Sequence, residues 1–479
     1  MPRRSALSPI RSSGTASNPA VAGALPVSAP SSRVAAAKGT GLGTGLGTGL
    51  GAGSGAASGA ASGRRPATDP PAAASASAAG GPGAAAARPG AAAARPGAAD
   101  TVRPAAAPTT AAAKGRRTQV HHPVPPVLVR QMRSGVAESE HRGHIVEVDV
   151  AGSIVRALGD PERVVTLRST VKPFGLVALI EAGGIEAFDL SSAEIAIMAG
   201  SHSGEDLHVR TLQGLFRRAG VSQQLLACGA EGMPLDALTA ARLARDGERP
   251  SPVRHMCSGQ HSVALLHSRL RGWPLETYWH DDHPAQIEYR SAVARAFGTR
   301  ADRLLTAIDD CGLLTYAFPI HDVARAYAML AEPHAVSGND PRRALAPAVA
   351  IIRDAMLANP EMVGGTRERI DTSLMKAAPG VLVSKAGREA LRGLAILRGA
   401  HGAGSRPTGM AIKIEDGGGH DRAGWAAVVE ALAQTGVLDG QSLRVLGRYH
   451  RPATLDPHGR VAAEAVASFD LAPVGELIG

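Results

Sequence analysis

The sequence predicts an α+β protein: an antiparallel sheet packed with helices plus a mostly helical lobe, preceded by a disordered tail. Three observations carry this expectation. Residues 1–117 hold no apolar run to bury, strand-length apolar segments lie towards both ends of residues 118–479, and helical periodicity fills the middle.

The tail is built mostly from Ala, Gly, Pro, Ser, Thr and Arg. Such a composition does not recover a backbone ordering cost of roughly 1–2 kcal/mol per residue, so residues 1–117 are expected to stay disordered. GTGL repeats with a period of four over 39–50. Its GxG patterns follow no strand and open no helix, so they read as a spacer and not as a dinucleotide loop. The tail has 13 Lys and Arg against Asp69 and Asp100. With the whole chain at +9, residues 118–479 carry about −2. The basic balance therefore belongs to the tail, whose scattered cations lack aromatic partners, and no specific nucleic-acid partner is expected. No stretch approaches the ~20 apolar residues of a membrane span, and the start has no apolar signal core, although an organelle transit peptide would be similarly Arg- and Ser-rich. Three cysteines, an odd and sparse set, point to a reducing compartment, and a cytoplasmic location is expected.

Along residues 118–479, order is expected to begin near 121–129. Arg142–Val150 alternates as a strand, Gly152 turns, and Ser153–Ala157 returns as a hairpin. Thr170–Ala182 reads as a helix, with Pro173 in its first turn and Gly183–Gly184 as its stop. Ser191 and Glu194 form a capping box for a short helix ending at Gly200, and Asp206–Ala219 is a helix closed by Gly220. Helical patterns continue at 263–270, 285–296, 323–330 and 346–358. Strands return at 381–384, 394–397 and 410–414, followed by a turn at 416–420 and a helix at 426–434.

Ser169 and Lys172 form an S-x-x-K, one helical turn apart and on one face. An amine at a helix start, near the positive end of its dipole, suits a base that takes the serine proton. Ser373 and Lys376 match the same pattern and read as an ordinary helix face. The first copy is followed by Ser201-His202-Ser203 and then by Lys385-Ala386-Gly387. S-x-x-K, a second serine and K-x-G in that order are the layout of β-lactamase and penicillin-binding serine hydrolases. The chain has only six lysines, which makes this order informative.

Further landmarks are SGVAESEHRGH at 134–144, LGDPERVV at 158–165, RSTVKPF at 168–174, SHSGE at 201–205, CSGQH at 257–261, DDCG at 309–312, RIDTSLM at 369–375, LVSKAG at 382–387 and KIEDG at 413–417. On these the chain resembles, from about Val127 to Leu432, the rhizobial-type L-asparaginases of the asparaginase II family, whose fold is related to the serine β-lactamases and glutaminases. The resemblance implies two catalytic pairs, Ser169 with Lys172 and Ser201 with Lys385, and a small-molecule substrate, L-asparagine. Either serine is a candidate nucleophile, Ser169 being favoured by its helix-terminus position. Arg168 would sit beside it. The resemblance also implies a homodimer, and a zinc ion held by two cysteines and the lysine of a CSGKH motif. Cys257 and Cys311 supply the thiols, but Gln260 stands where that lysine is expected. A neutral amide is a poor zinc ligand, and no cofactor is required for Ser–Lys chemistry. Two more departures are REAL after Lys385-Ala386-Gly387, in place of an acidic-glycine stretch, and CGAEGMP around Cys228, which lacks an expected histidine.

Other candidates have two readings each. His202 either meets substrate or satisfies loop carbonyls, and Glu205 either meets substrate or caps a helix. Arg369 and Asp371 either take the charged groups of an amino acid or form a structural ion pair. The expected reaction is hydrolysis of L-asparagine to aspartate and ammonia. The alternatives are a glutaminase, another β-lactamase-like serine hydrolase, or a catalytically silent binding relative.

Overall fold

The computed structural model describes residues 124–417 and 421–474. The expected tail, its boundary at 117 and most of the turn at 416–420 lie outside them. Eleven strands are described: β1 Val127–Arg133, β2 Val136–Asp149, β3 Ile154–Leu158, β4 Val164–Thr166, β5 Leu305–Ile308, β6 Leu314–Pro319, β7 Leu382–Ala386, β8 Leu391–Ile396, β9 Thr408–Ile414, β10 Ala453–Leu455 and β11 Val461–Ala467. The large sheet runs β10-β11-β1-β2-β9-β8-β7, with β3 also on β2, and every pairing in it is antiparallel. Between its two ends lies the helical lobe, so the α+β expectation holds.

The sheet separates two cores, and strand alternation assigns the side chains. Val146, Val148, Val383, Ala395 and Ala411 join the core beneath the helical lobe. Ile145, Leu382, Leu394, Ile396, Met410 and Ile412 join the core beneath helix Asp421–Gln434. Helix Ile320–Ala331 lies against β8 and β9. The approach is close because Gly393 and Gly409 face it: a Cβ on Gly393 would stand 2.1 Å from the Tyr327 ring, and one on Gly409 2.0 Å from the Ala324 carbonyl oxygen.

The hairpin is present as β2–β3, closed by Asp149 N–H to the Ser153 carbonyl at 3.0 Å. Ser191 and Glu194 cap helix Ser192–Ala199 as expected, and helix Asp206–Ala219 ends on Gly220 in the left-handed region. Two expectations need correction. The helix at 170–182 is interrupted: a 3-10 turn over Arg168–Val171 leads into Lys172–Gly175, and Leu176 separates that turn from Val177–Glu181. The second is an omission, the three-stranded sheet β4-β6-β5. Its strands are short, and β5 is exposed throughout, so alternation does not mark them.

One buried carboxylate on β2 ties that strand to β3, to β9 and to the turn before β9. The Glu147 carboxylate is fully buried and accepts from Thr408 Oγ1 at 2.6 Å, Arg156 at 2.7 Å and His401 at 2.9 Å. Burial raises the Glu147 pKa, but His401, Thr408 and Arg156 outweigh it and the net shift is downward. Burial lowers His401, and the bond and charge of Glu147 outweigh that and raise it. A depressed carboxylate stabilises above its ordinary value of 4.5 and loses this as pH falls. A raised imidazole stabilises below its ordinary 6.5 and loses this as pH rises. Urea unfolding of Glu147→Gln is therefore expected to show a loss of about 3 kcal/mol, largest between those two values.

Candidate active site

Ser169 lies just beyond the end of β4. The preceding residue, Arg168, has φ 48°, a left-handed conformation that costs a non-glycine residue of order 1–3 kcal/mol. The small sheet holds it there: Leu167 N–H donates to the Tyr316 carbonyl at 2.8 Å, and Arg168 N–H to Thr315 Oγ1 at 2.9 Å. The Arg168 guanidinium reaches Asp309 at 2.8 Å and Asp310 at 2.5 Å, residues that join β5 to β6. Ser169 faces a cavity of about 520 Å³, within the ordinary range of small-molecule sites, whose walls include Arg168, Glu231, His255, Cys257, Cys311 and Arg388. Its hydroxyl makes no side-chain hydrogen bond among the described residues.

The two lysines converge on Ser201. Lys172 Nζ donates to Ser201 Oγ at 3.0 Å and Lys385 Nζ to the same oxygen at 2.9 Å. The expected pairing of Lys172 with Ser169 has no hydrogen bond among the described residues: beyond the tight turns around Val171, the Lys172 amine bonds to Ser201. Both amines are essentially unexposed. Lys172 also donates to the Met256 carbonyl at 3.3 Å and to Cys257 Sγ at 3.4 Å, and Lys385 to the Ala386 carbonyl at 2.6 Å. Burial, then the neighbouring charge of Lys172, push Lys385 down to about 7 against the opposing pull of Asp371.

Four candidate substrate contacts are hydrogen-bonded within the protein. Asp371 is buried behind β7, accepting from Ser384 Oγ at 2.7 Å and the Ala386 N–H at 2.9 Å and pairing with Arg392. Burial raises its pKa, but Arg392, Lys385 and these donors take it down to about 2. Asp371 therefore forms a structural ion pair, with Arg392 and not with Arg369, and it bonds to the strand that carries Lys385. Arg369 donates to the Ser201 carbonyl at 2.9 Å. Both nitrogens of His202 are engaged, Nε2 with Ser258 Oγ at 2.9 Å and Nδ1 by the Gly204 N–H at 3.1 Å, so this ring secures the Ser201 loop. Glu205 clasps the loop at Thr366, at 2.7 Å from its N–H and 2.5 Å from its hydroxyl. Ser373 and Lys376 lie on helix Ile370–Ala377, bonded to Arg369 and Glu361, the ordinary face expected. Arg392 and His255 escaped the sequence reading. Arg392 meets Asp371 from 21 residues away, and no motif announces it.

Cys257 and Cys311 are buried and hydrogen-bonded to one another. The bond from Cys311, with Lys172 and His255 nearby, holds Cys257 well below its ordinary value, while that bond and burial push Cys311 up. The residues present do not fit the zinc ion that the family resemblance implies. Gln260 donates to the Tyr289 hydroxyl at 3.1 Å, His261 Nδ1 is bonded to the Tyr278 hydroxyl at 2.5 Å, and among the described residues no three His, Cys, Asp or Glu side chains group as metal ligands. A second cavity, about 820 Å³, is lined by Ser203, Asp236, Arg367 and Arg369 and by neither Ser169 nor Ser201.

The family model for L-asparaginase II matches residues 129–467. The chain belongs to the L-asparaginase II family. It is accordingly an amidohydrolase acting on a small-molecule amide. No curated protein matches the sequence. Among solved structures, this family member is similar to Mglu, at 14% identity over 67% of this chain and 74% of that one, TM-score 0.34. It is also similar to a probable glutaminase of Bacillus subtilis, at 12% identity over 59% of this chain and 83% of that one, TM-score 0.30. A third is a B. subtilis glutaminase in covalent complex with 5-oxo-L-norleucine, at 11% identity over 64% and 91%, TM-score 0.30. Among the described residues of the family member, no helix is long and apolar enough to cross a membrane.

A double-mutant cycle on Asp371→Asn and Arg392→Gln in this amidohydrolase is expected to return a coupling of about 2 kcal/mol by denaturant titration.

Proposed function

We propose that the chain hydrolyses L-asparagine to L-aspartate and ammonia by Ser–Lys catalysis. The observation that carries this reading is the convergence of Lys172 and Lys385 on Ser201 beside a cavity that Ser169 lines. Ser169 Oγ attacks the side-chain amide carbon, and its proton passes to the Lys172–Ser201–Lys385 relay. With a pKa near 7, Lys385 is substantially neutral at neutral pH and able to take that proton. The backbone N–H of Ser169 stabilises the oxyanion. The C–N bond breaks, the leaving nitrogen departs as ammonia with a proton returned by the relay, and water hydrolyses the ester to aspartate.

A second reading has Ser201 as the nucleophile, because both amines bond to its hydroxyl. The two separate in ammonia-release assays with L-asparagine, run beside L-glutamine. Ser169→Ala is expected to lower kcat at least a thousandfold, on the order of losing a covalent nucleophile. The covalent adduct of a diazo-ketone asparagine analogue is expected on the peptide containing Ser169. An adduct on Ser201 selects the second reading, and absence of turnover on either amide sinks the proposal.

The relay also sets a pH dependence. The base works neutral, so kcat/KM is expected to rise with pH through an inflection near 7. Asp371 raises the Lys385 pKa, so in Asp371→Asn the acidic limb should move to lower pH. A limb that stays in place in that variant would separate it from Lys385.

A further inference from the structure

The hydrolytic centre accounts for one end of an amino-acid amide, and the same cavity offers partners for the other. Five of the residues lining it carry a carboxylate or guanidinium: Arg168, Glu231, Asp309, Asp310 and Arg388. Arg168 is spent on Asp309 and Asp310. The side chains of Arg388 and Glu231, by contrast, make no hydrogen bond or ion pair among the described residues, and both residues are exposed at the mouth.

Arg388 is also held in place at a backbone cost. It stands in the turn between β7 and β8, where Gly387 N–H donates to the Leu391 carbonyl at 2.7 Å. The next two residues, Glu389 and Ala390, have φ 58° and 52°, where glycine or asparagine is the usual choice. Lys413 Nζ fixes the turn by donating to the Glu389 carbonyl at 2.7 Å. The same hairpin delivers Lys385, so the backbone that carries Arg388 has a fixed setting relative to that amine. Glu231 comes from the loop after Cys228, the other segment that departs from the family pattern.

We infer that Arg388 binds the α-carboxylate and Glu231 the α-ammonium of the amino-acid substrate. The inference rests on the amidohydrolase reading above and names the residues that hold the charged end of its substrate. A guanidinium takes a carboxylate through paired N–H donors, and an ammonium in a partly desolvated mouth requires an acceptor of opposite charge. The arrangement excludes amides within a peptide chain, which present neither group.

The test uses the full chain and truncated substrates. Arg388→Ala is expected to lower kcat/KM for L-asparagine about tenfold to hundredfold more than for 3-aminopropionamide, which lacks the carboxylate. Glu231→Gln is expected to show the same excess loss for L-asparagine over succinamate, which lacks the ammonium. Arg388→Lys should recover part of the loss, because it restores charge without the fork. Equal losses on whole and truncated substrates, or none, would overturn the inference. Calorimetric binding of L-aspartate gives a readout independent of turnover. Weaker binding in both variants, with a wild type that cleaves nothing, upholds the two contacts and sinks the reaction. Undiminished binding in the variants, or a wild type that binds neither L-aspartate nor L-asparagine, rejects the contacts.

Discussion

Two lysine amines share one hydroxyl in an interior that water does not reach, and the surrounding architecture is built around that pairing. Ser201 Oγ accepts at 3.0 Å from Lys172 and at 2.9 Å from Lys385. Two ammonium groups so placed repel each other and lose hydration, so the arrangement favours giving up a proton. Lys385 is the amine that yields, down to about 7. Asp371 limits the fall. Its carboxylate is itself kept ionised by Arg392, Ser384 and the Ala386 N–H, so the charge behind the strand is fully paired. Removing Asp371 or Arg392 leaves the other as a buried charge without its counterpart, the costly case for interior ions.

The same constraint explains why the site sits where lobe and sheet meet. Lys385 comes from β7, in a sheet buried on both faces, whereas Lys172 and Ser201 come from the helical lobe. The Ser201 loop needs its own polar scaffold, because its backbone lies outside any helix or strand ladder. His202 satisfies Gly204 and Ser258, Arg254 donates to the Gly204 carbonyl at 2.9 Å, and Arg369 takes the Ser201 carbonyl. Burial, with His208 and Lys172 beside it, pushes His202 well below its ordinary value. A neutral ring can both donate and accept in this network, as its two bonds require.

Residue spacing made the periodic elements and the four motif residues legible. The capping box at Ser191, the glycine stop at Gly220 and the strands around Lys385 and Met410 each arise from local chemistry that a short window contains. What stayed illegible depends on long-range partners. Ser169 and Lys172 share one helical turn in sequence, yet the turn tightens into a 3-10 segment and the amine reaches a hydroxyl 29 positions away. Asp371 has the chemistry of a substrate ligand until Arg392 is found beside it. In the small sheet that positions Arg168, β4 has only three residues, too few to mark a period, and β5 is exposed throughout, so it shows no buried-exposed alternation.

Gln260 shows how one substitution redistributes charge in such a site. Where a lysine would bring a positive group to the thiols, the amide is neutral and donates to Tyr289. The bond from Cys311, with Lys172 and His255 beside it, holds Cys257 well below its ordinary value. Lys172 thereby contacts the thiol wall of the cavity at 3.4 Å and the serine relay at 3.0 Å with one amine. The thiol pair and the relay are electrostatically one unit in this chain. The amine facing Cys257 is the one that also donates to Ser201, so the thiol wall and the buried serine share a single lysine.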